Sequence, residues 1–204
     1  KKYRIILIIF VFILFSGNAF AYKLRKPIEE EIKSYDGFKL TGILDIPNYA
    51  SIQNKAPLVI FLHSIHNNNR AWGDLPKIIK ENLNVATLNL NLRGHGRSTR
   101  DKNDNILHWQ FMNETDFQKM PEDLFEVRAF IEREYPEIDQ NKIAIVGASL
   151  GATVAMMTAS YKNEGIEAIV MFSPMIKYKG FDLRIPVVDY GEKPLFMLVS
   201  KKDH

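Results

Sequence analysis

Short apolar runs recur along the chain, separated by longer segments of mixed polarity. Each run is bounded by polar residues, glycine or proline, and most of the runs are apolar throughout. Buried strands of a parallel sheet have this pattern because both of their faces are covered. These runs predict strands at Leu58–Leu62, Val85–Leu90, Ile143–Val146, Ala168–Phe172 and Leu195–Val199.

The segments between these runs have helical periodicity. Apolar residues recur three and four positions apart, which places them on one face of a helix. Pro121 suits the first turn of the second helix and Pro136 stops it. The predicted helices are Trp72–Asn82, Pro121–Tyr135 and Leu150–Tyr161.

The region before the first apolar run has the pattern of a β-hairpin. Ile28–Tyr35 predicts a charged strand, Asp36-Gly37 a hairpin turn, and Phe38–Ile46 the returning strand. Strands alternating with helices predict an α/β fold with a mostly parallel sheet flanked by helices, entered by an N-terminal antiparallel hairpin. Ligands of such sheets bind at the carboxyl ends of the strands, so functional residues are expected directly after strands.

The first 21 residues have the three-part pattern of a secretory signal peptide. Lys1, Lys2 and Arg4 precede an unbroken apolar run from Ile5 to Phe15, and a small-x-small cleavage site ends at Ala21. The run is shorter than the roughly 20 apolar residues of a membrane span. We therefore expect export to the periplasm or secretion, with no stable membrane span after cleavage; an uncleaved anchor is the alternative.

The remaining residues, 22–204, suit one domain by length. The formal net charge of +3 comes from the predicted signal peptide, and the rest of the chain carries 24 acidic residues balanced by as many basic ones. This balance argues against a nucleic-acid partner, which would need a basic patch or stripe. The chain has no cysteine. Disulfides, thiolate metal sites and a cysteine nucleophile are therefore excluded.

A possible nucleophile lies between the third apolar run and the helix that follows it. Gly147-Ala148-Ser149-Leu150-Gly151 matches the G-x-S-x-G pattern. Between a strand and a helix, this pattern forms a strained turn that exposes the serine oxygen. Side chains at Gly147 and Gly151 would collide with the neighbouring strand and helix. Ser149 is therefore predicted to be the catalytic nucleophile, with an ordinary glycine-rich turn as the alternative.

Acyl transfer through a serine also needs two backbone N–H groups that bind the oxyanion. The first is predicted at Leu150, directly after the nucleophile. The second is expected in the loop after Leu58–Leu62, where the sequence reads His63-Ser64-Ile65-His66. Ile65 is the predicted second donor, with Ser64 as the alternative.

These motifs resemble those of the α/β-hydrolase superfamily, and most of all its small serine esterases and dienelactone-hydrolase-like members. Members of this family usually have His-Gly after this strand, where this chain has His63-Ser64. Leu92–Ser98 closely resembles the family's R-G-H-G-x-S loop, whose histidine, here His95, is usually structural. The resemblance covers the chain from about Tyr35 to its end. It implies hydrolysis of a carboxylic ester or similar acyl bond of a small molecule, without cofactor or metal.

The family's order of serine, acid and histidine places the acid after the last apolar run. Asp203 fits this position, and Asp182 is the second choice. The histidine base is then expected beyond Asp203, past a further strand, so the domain is expected to be incomplete at its C-terminus. Among the upstream histidines, His66 alone is expected near the pocket.

Other functions on the same fold remain open at this stage. A non-catalytic binding protein is one alternative, and a peptidase, thioesterase or C–C hydrolase is another, because the fold alone does not select the reaction. The segment from Met175 to Lys193 is too short for a large lid, which favours a small substrate or an open site. The sequence makes no prediction of the oligomeric state.

Overall fold

The computed structural model describes residues 25–161 and 165–200. The predicted signal peptide and Asp203 lie outside the described residues. Nowhere in these two ranges is there a helix long and apolar enough to cross a membrane.

Seven strands form one mixed sheet in the order β1-β2-β4-β3-β5-β6-β9. The hairpin of β1 and β2 is antiparallel, and β2 also pairs antiparallel with β4. All other neighbours in this sheet are parallel. The predicted mostly parallel sheet with an antiparallel entry hairpin is confirmed. The strands are β1 (Ile28–Lys33), β2 (Lys39–Asp45), β3 (Ala56–Leu62), β4 (Ala86–Asn91), β5 (Ile138–Ala148), β6 (Ile166–Phe172) and β9 (Leu195–Leu198).

Helices connect the parallel strands and cover both faces of the sheet. The helices are α1 (Leu75–Leu83), α2 (Glu114–Gln118), α3 (Met120–Glu134), α4 (Leu150–Tyr161) and α5 (Arg184–Asp189), with a 3₁₀ turn at Trp109–Phe111. A small hairpin of β7 (Lys177–Tyr178) and β8 (Phe181–Asp182) follows β6.

The two faces of the sheet have cores of different size. Alternate residues of β3 show this: Leu58, Ile60 and Leu62 belong to the large core under α3 and α4. Val59 and Phe61 belong to a smaller cluster on the opposite face, with α1. Successive strand residues point to opposite faces, so the continuous apolar run of β3 serves both cores.

Among the segments that differ from the sequence predictions, two have a clear physical reason for the difference. The third predicted strand begins at Ile138 rather than Ile143, because a shift in register between Ala56 and Leu58 accommodates the intervening polar residues of β5. The segment from Met175 to Lys193 forms β7, β8 and α5. These elements are too short for their periodicity to stand out in the sequence.

Candidate active site

Ser149 lies at the turn between β5 and α4. The φ of Ser149 is 51°, which is a left-handed backbone conformation that residues other than glycine rarely adopt. The backbone holds this turn from both sides: the N–H of Ser149 donates to the carbonyl of Phe172 at 2.8 Å, and its carbonyl accepts from Thr153 at 3.1 Å. This is the strained strand-turn-helix geometry that the sequence motif predicts.

The two glycines of the motif make room for this turn. A Cβ on Gly147 would overlap the backbone of Gly151 and Ala152 in α4. A Cβ on Gly151 would overlap the carbonyl groups of Leu62 and His63. The first turn of α4 therefore lies directly against the end of β3. This contact brings the serine turn and the loop after β3 together.

Leu150 is the first residue of α4 and is buried. The first N–H groups of a helix have no partner within the helix, and its N-terminus favours negative charge. The Leu150 N–H is thus placed to donate to a negatively charged atom beside Ser149, as the sequence predicts.

The loop from His63 to Asn69 is held by the buried ring of His63. We call it the oxyanion loop because it carries Ile65, the predicted second oxyanion donor. The N–H of Leu92 donates to Nε2 of His63 at 3.1 Å, which leaves the ring proton on Nδ1. Nδ1 then donates to the carbonyl of Ser64 at 2.8 Å. Burial lowers the pKa of His63 to about 4, although the hydrogen bond to Ser64 acts in the opposite direction. His63 is therefore neutral near pH 7.

Ser64, which replaces the family's glycine, fits this loop without strain. It is not among the residues with a positive φ, so the position does not require glycine. The Ser64 hydroxyl accepts from Nδ2 of Asn67 at 2.7 Å at the surface.

A second loop, Leu92–Ser98, follows β4 and packs against the oxyanion loop. Its His95 is 2% exposed, and Nε2 lies 2.6 Å from the carbonyl of Ile65. Nδ1 lies 2.8 Å from the carbonyl of Arg93. Asn91, at the end of β4, accepts the N–H of Asn69 at 2.7 Å. We call the two loops together the clamp.

Arg93 anchors the clamp to the rest of the fold. Its guanidinium is 2% exposed, bonds both carboxylate oxygens of Asp123 at 2.6 and 2.9 Å, and pairs with Asp36 at 2.9 Å. It also lies over the ring of Phe38, 4.4 Å from the centroid. Burial alone would raise the pKa of Asp36, but hydrogen bonds from Arg93 and from the Phe38 backbone lower it to about 2.

A depression of about 930 Å³ opens beside Ser149. Its outer side is formed by the segment from Ser173 to Val199, which we call the outer wall. Most of its side chains are apolar, and two cations, Lys177 and Arg184, also line it. Both cations pair with Asp182. The apolar lining residues are Pro174, Met175, Ile176, Leu183, Val187, Met197 and Val199.

Two of the described histidines are ruled out as the base that activates Ser149, because His63 and His95 are buried and bonded to backbone groups. His66 is exposed, with its ring packed edge-on against Trp109 at 5.0 Å. Across residues 25–161 and 165–200, no hydrogen bond to the Ser149 hydroxyl is seen. Asp182, the second-choice acid, is committed to Arg184 at 2.5 Å.

The structure therefore brings together Ser149, Leu150 and the loop that carries Ile65, whereas Asp203 lies outside the described residues. The sequence did not reveal the contact between His63 and His95, whose ring centroids are 5.1 Å apart. The spacing of the two loops after adjacent parallel strands was the available signal, because such loops meet at one edge of a sheet.

Comparison with known proteins agrees with this geometry. Residues 53–190 match the family described as "Serine aminopeptidase, S33". A search of curated protein sequences finds no match to this chain.

Solved structures with the same fold include several hydrolases. The esterase Pf2001 of Pyrococcus furiosus is 22% identical, with a TM-score of 0.63, over 89% of this chain and 74% of that one. Est1E of Butyrivibrio proteoclasticus, solved with ferulic acid bound, is 24% identical, with a TM-score of 0.57, over 71% and 52%. DcsB, in complex with its substrate analogue, is 21% identical, with a TM-score of 0.58, and the alignment covers 75% of this chain but only 46% of DcsB.

These neighbours share the α/β-hydrolase fold, and the family match covers more than half of the chain, including the serine turn and both clamp loops. The chain therefore belongs to the serine aminopeptidase S33 family of α/β hydrolases.

Proposed function

We propose that this protein is a serine hydrolase that cleaves a carboxylic ester, or a similar acyl bond, through a covalent intermediate on Ser149. The observation that carries this proposal is the left-handed Ser149, with a φ of 51°, at the start of α4 and beside the depression. A serine in this position exposes its oxygen to a substrate while the helix N-terminus favours the developing negative charge.

The reaction proceeds in two halves. The Ser149 oxygen attacks the acyl carbon, its proton passes to a histidine base, and the N–H groups of Leu150 and Ile65 bind the oxyanion. The histidine then returns the proton to the leaving alcohol, and the acyl group stays on Ser149. Water attacks this ester by the same route, releases the carboxylic acid and restores the serine. Asp203 is the proposed partner that orients the histidine.

The lining of the depression supports a neutral or anionic acyl group. Its apolar lining suits a hydrocarbon chain, and its two charged lining residues, Lys177 and Arg184, are both cations. A small molecule is thus the proposed substrate. We also propose that the protein acts after export, because its first 21 residues have the pattern of a signal peptide.

Peptide cleavage is a second candidate, favoured by the description of the matched family. An aminopeptidase must bind the α-ammonium group of its substrate, which calls for a carboxylate near the nucleophile. No acidic residue is among those lining the depression within the described part of the chain. Ester hydrolysis is therefore the first choice.

Hydrolysis of short and long p-nitrophenyl esters, thioesters and aminoacyl-p-nitroanilides, by the full-length product of the gene, tests this proposal. We expect ester turnover that Ser149→Ala lowers by roughly three orders of magnitude or more. Ser173→Ala is a matched control, because Ser173 lines the same depression and also has a positive φ, 46°. Equal loss in both variants would contradict the assignment of Ser149, and faster anilide than ester cleavage would favour the peptidase.

A further inference from the structure

The geometry points to His95 as a positioning residue that holds Ile65 in place, and hence sets the position of the Ile65 N–H and the strength of the oxyanion site. This inference rests on the proposed function. It assigns to the loop after β4 a role in the reaction, although that loop contributes no atom to the serine turn.

Two hydrogen bonds hold the peptide group before Ile65. The Ser64 carbonyl accepts from Nδ1 of His63 at 2.8 Å and from the N–H of Asn67 at 3.0 Å. This peptide is trans, so the Ile65 N–H points the opposite way from the Ser64 carbonyl. His63 therefore turns the Ile65 N–H away from its own ring.

His95 holds the peptide group after Ile65. Its carbonyl faces Nε2 of His95 at 2.6 Å, in a region where His95 is 2% exposed. Ile65 is thus held between two buried imidazoles, one on each flanking peptide. The bonds to the Ser64 carbonyl set the direction of the Ile65 N–H, and the buried bond from His95 to the Ile65 carbonyl holds the residue itself in place. Displacing Ile65 would break that buried hydrogen bond, which is unfavourable.

His95 is itself held by Trp109 and by the backbone of its own loop. Its ring stacks on Trp109 with an interplanar angle of 8° and a centroid distance of 5.8 Å. Gly94 lets the loop approach Trp109 closely. The φ of Gly94 is 78°, and a Cβ on Gly94 would overlap the Met112 side chain and the Trp109 backbone nitrogen. The Trp109 N–H in turn donates to the Gly94 carbonyl at 2.9 Å. The imidazole is therefore fixed before any substrate binds.

The two carbonyl groups that His95 faces indicate which of its ring nitrogens carries a proton. Both ring nitrogens face carbonyl oxygens, and the shorter contact is that of Nε2 with Ile65. Burial lowers the pKa of His95, whereas the carbonyls of Arg93 and Ile65 raise it by accepting its N–H groups. We assign a proton to Nε2, because a lone pair there would face the Ile65 carbonyl at 2.6 Å.

Kinetics of three variants of the full-length protein test this role. His95→Ala should lower kcat about 10- to 100-fold, somewhat less than outright loss of an oxyanion donor, with KM changed less than threefold. His95→Gln should recover most of kcat, because its amide N–H can donate to the Ile65 carbonyl. His108→Gln, at an exposed histidine outside the clamp, should match the wild type.

Active sites are counted by fluorophosphonate labelling, so that kcat is expressed per folded site. A kcat of His95→Ala within threefold of wild type, or no recovery in His95→Gln, would overturn the inference. If His95→Ala does not fold, ¹⁵N-histidine NMR of the wild type decides: protonated Nε2 on His95 supports the role and unprotonated Nε2 overturns it. Failure of the proposed function would appear separately, as turnover that survives Ser149→Ala.

Discussion

The clamp and the outer wall lie on opposite sides of Ser149 and are built in opposite ways. Buried polar groups with fixed partners hold the clamp: His63, His95 and Arg93 are each at most 2% exposed and bonded on several sides. The outer wall instead exposes apolar side chains, such as Ile185 at 72% and Val188 at 75%. The side that we propose binds the oxyanion is thus preorganised, whereas the side that we propose meets the acyl group exposes many of its apolar side chains.

This difference matches the role that we propose for each side. An oxyanion site stabilises charge best when its donors are already oriented, because reorientation during the reaction costs free energy. An apolar acyl group needs surface and volume rather than directed bonds. We therefore expect substitutions in the clamp to affect stability and rate strongly, and matched substitutions in the outer wall to have small effects.

The largest effect on stability is expected at Asp123. Its carboxylate is 3% exposed and pairs with Arg93, so Asp123→Ala leaves a buried guanidinium without one of its two carboxylate partners. Loss of one partner of a buried ion pair costs about 3–5 kcal/mol. Urea unfolding measures this change. The matched control is Asp182→Ala in the outer wall, whose exposed pair with Arg184 should contribute little. Equal destabilisation in both variants would contradict the contrast.

Acid should weaken the clamp through His63. Its pKa is about 4 in the folded protein and near 6.5 when unfolded, so between these values the unfolded chain binds the additional proton. The free energy of unfolding should fall in this window by about 1.4 kcal/mol per pH unit as pH decreases.

Urea titrations at pH 7, 6, 5 and 4 measure this dependence. In His63→Gln the slope should be smaller, whereas the exposed His108→Gln should leave it unchanged. A slope that is identical in wild type and His63→Gln would refute the assignment to His63.

Gly151→Ala tests the contact between α4 and the end of β3. The added Cβ would overlap two carbonyl groups, and we expect a loss of about 1–3 kcal/mol with lower ester turnover. Gly191→Ala, in the outer wall, has no atom within 4 Å of the added Cβ and tests only its positive φ of 73°. Thermal unfolding should show the smaller loss for Gly191→Ala. The reverse order would indicate that space at Gly151 is not limiting.

The smallest effect is expected at Ile185. It is 72% exposed on α5, so Ile185→Lys should change the free energy of unfolding by no more than about 0.5 kcal/mol. Solubility should rise, because exposed apolar patches promote association. Sedimentation velocity over a range of concentrations checks this. A large loss of stability would show that Ile185 is part of the packed core.

The sequence predicted the strands, the main helices and the position of Ser149 because these depend on local periodicity and on a short motif. The clamp was harder to predict. His63 and His95 are far apart in the chain, and their bonds to the backbone of Leu92 and Ile65 depend on strand order. The two-residue strands of the outer wall were missed because they are too short to show a period.

We propose that Ser149 is a nucleophile poised beside a preformed oxyanion site. A fluorophosphonate probe tests it most directly, because its phosphoryl oxygen occupies the oxyanion position once the serine oxygen has attacked. We predict one adduct per chain, mapped by mass spectrometry to the peptide that contains Ser149 and absent from Ser149→Ala. An adduct on any other residue, or equal labelling of Ser149→Ala, would contradict the claim.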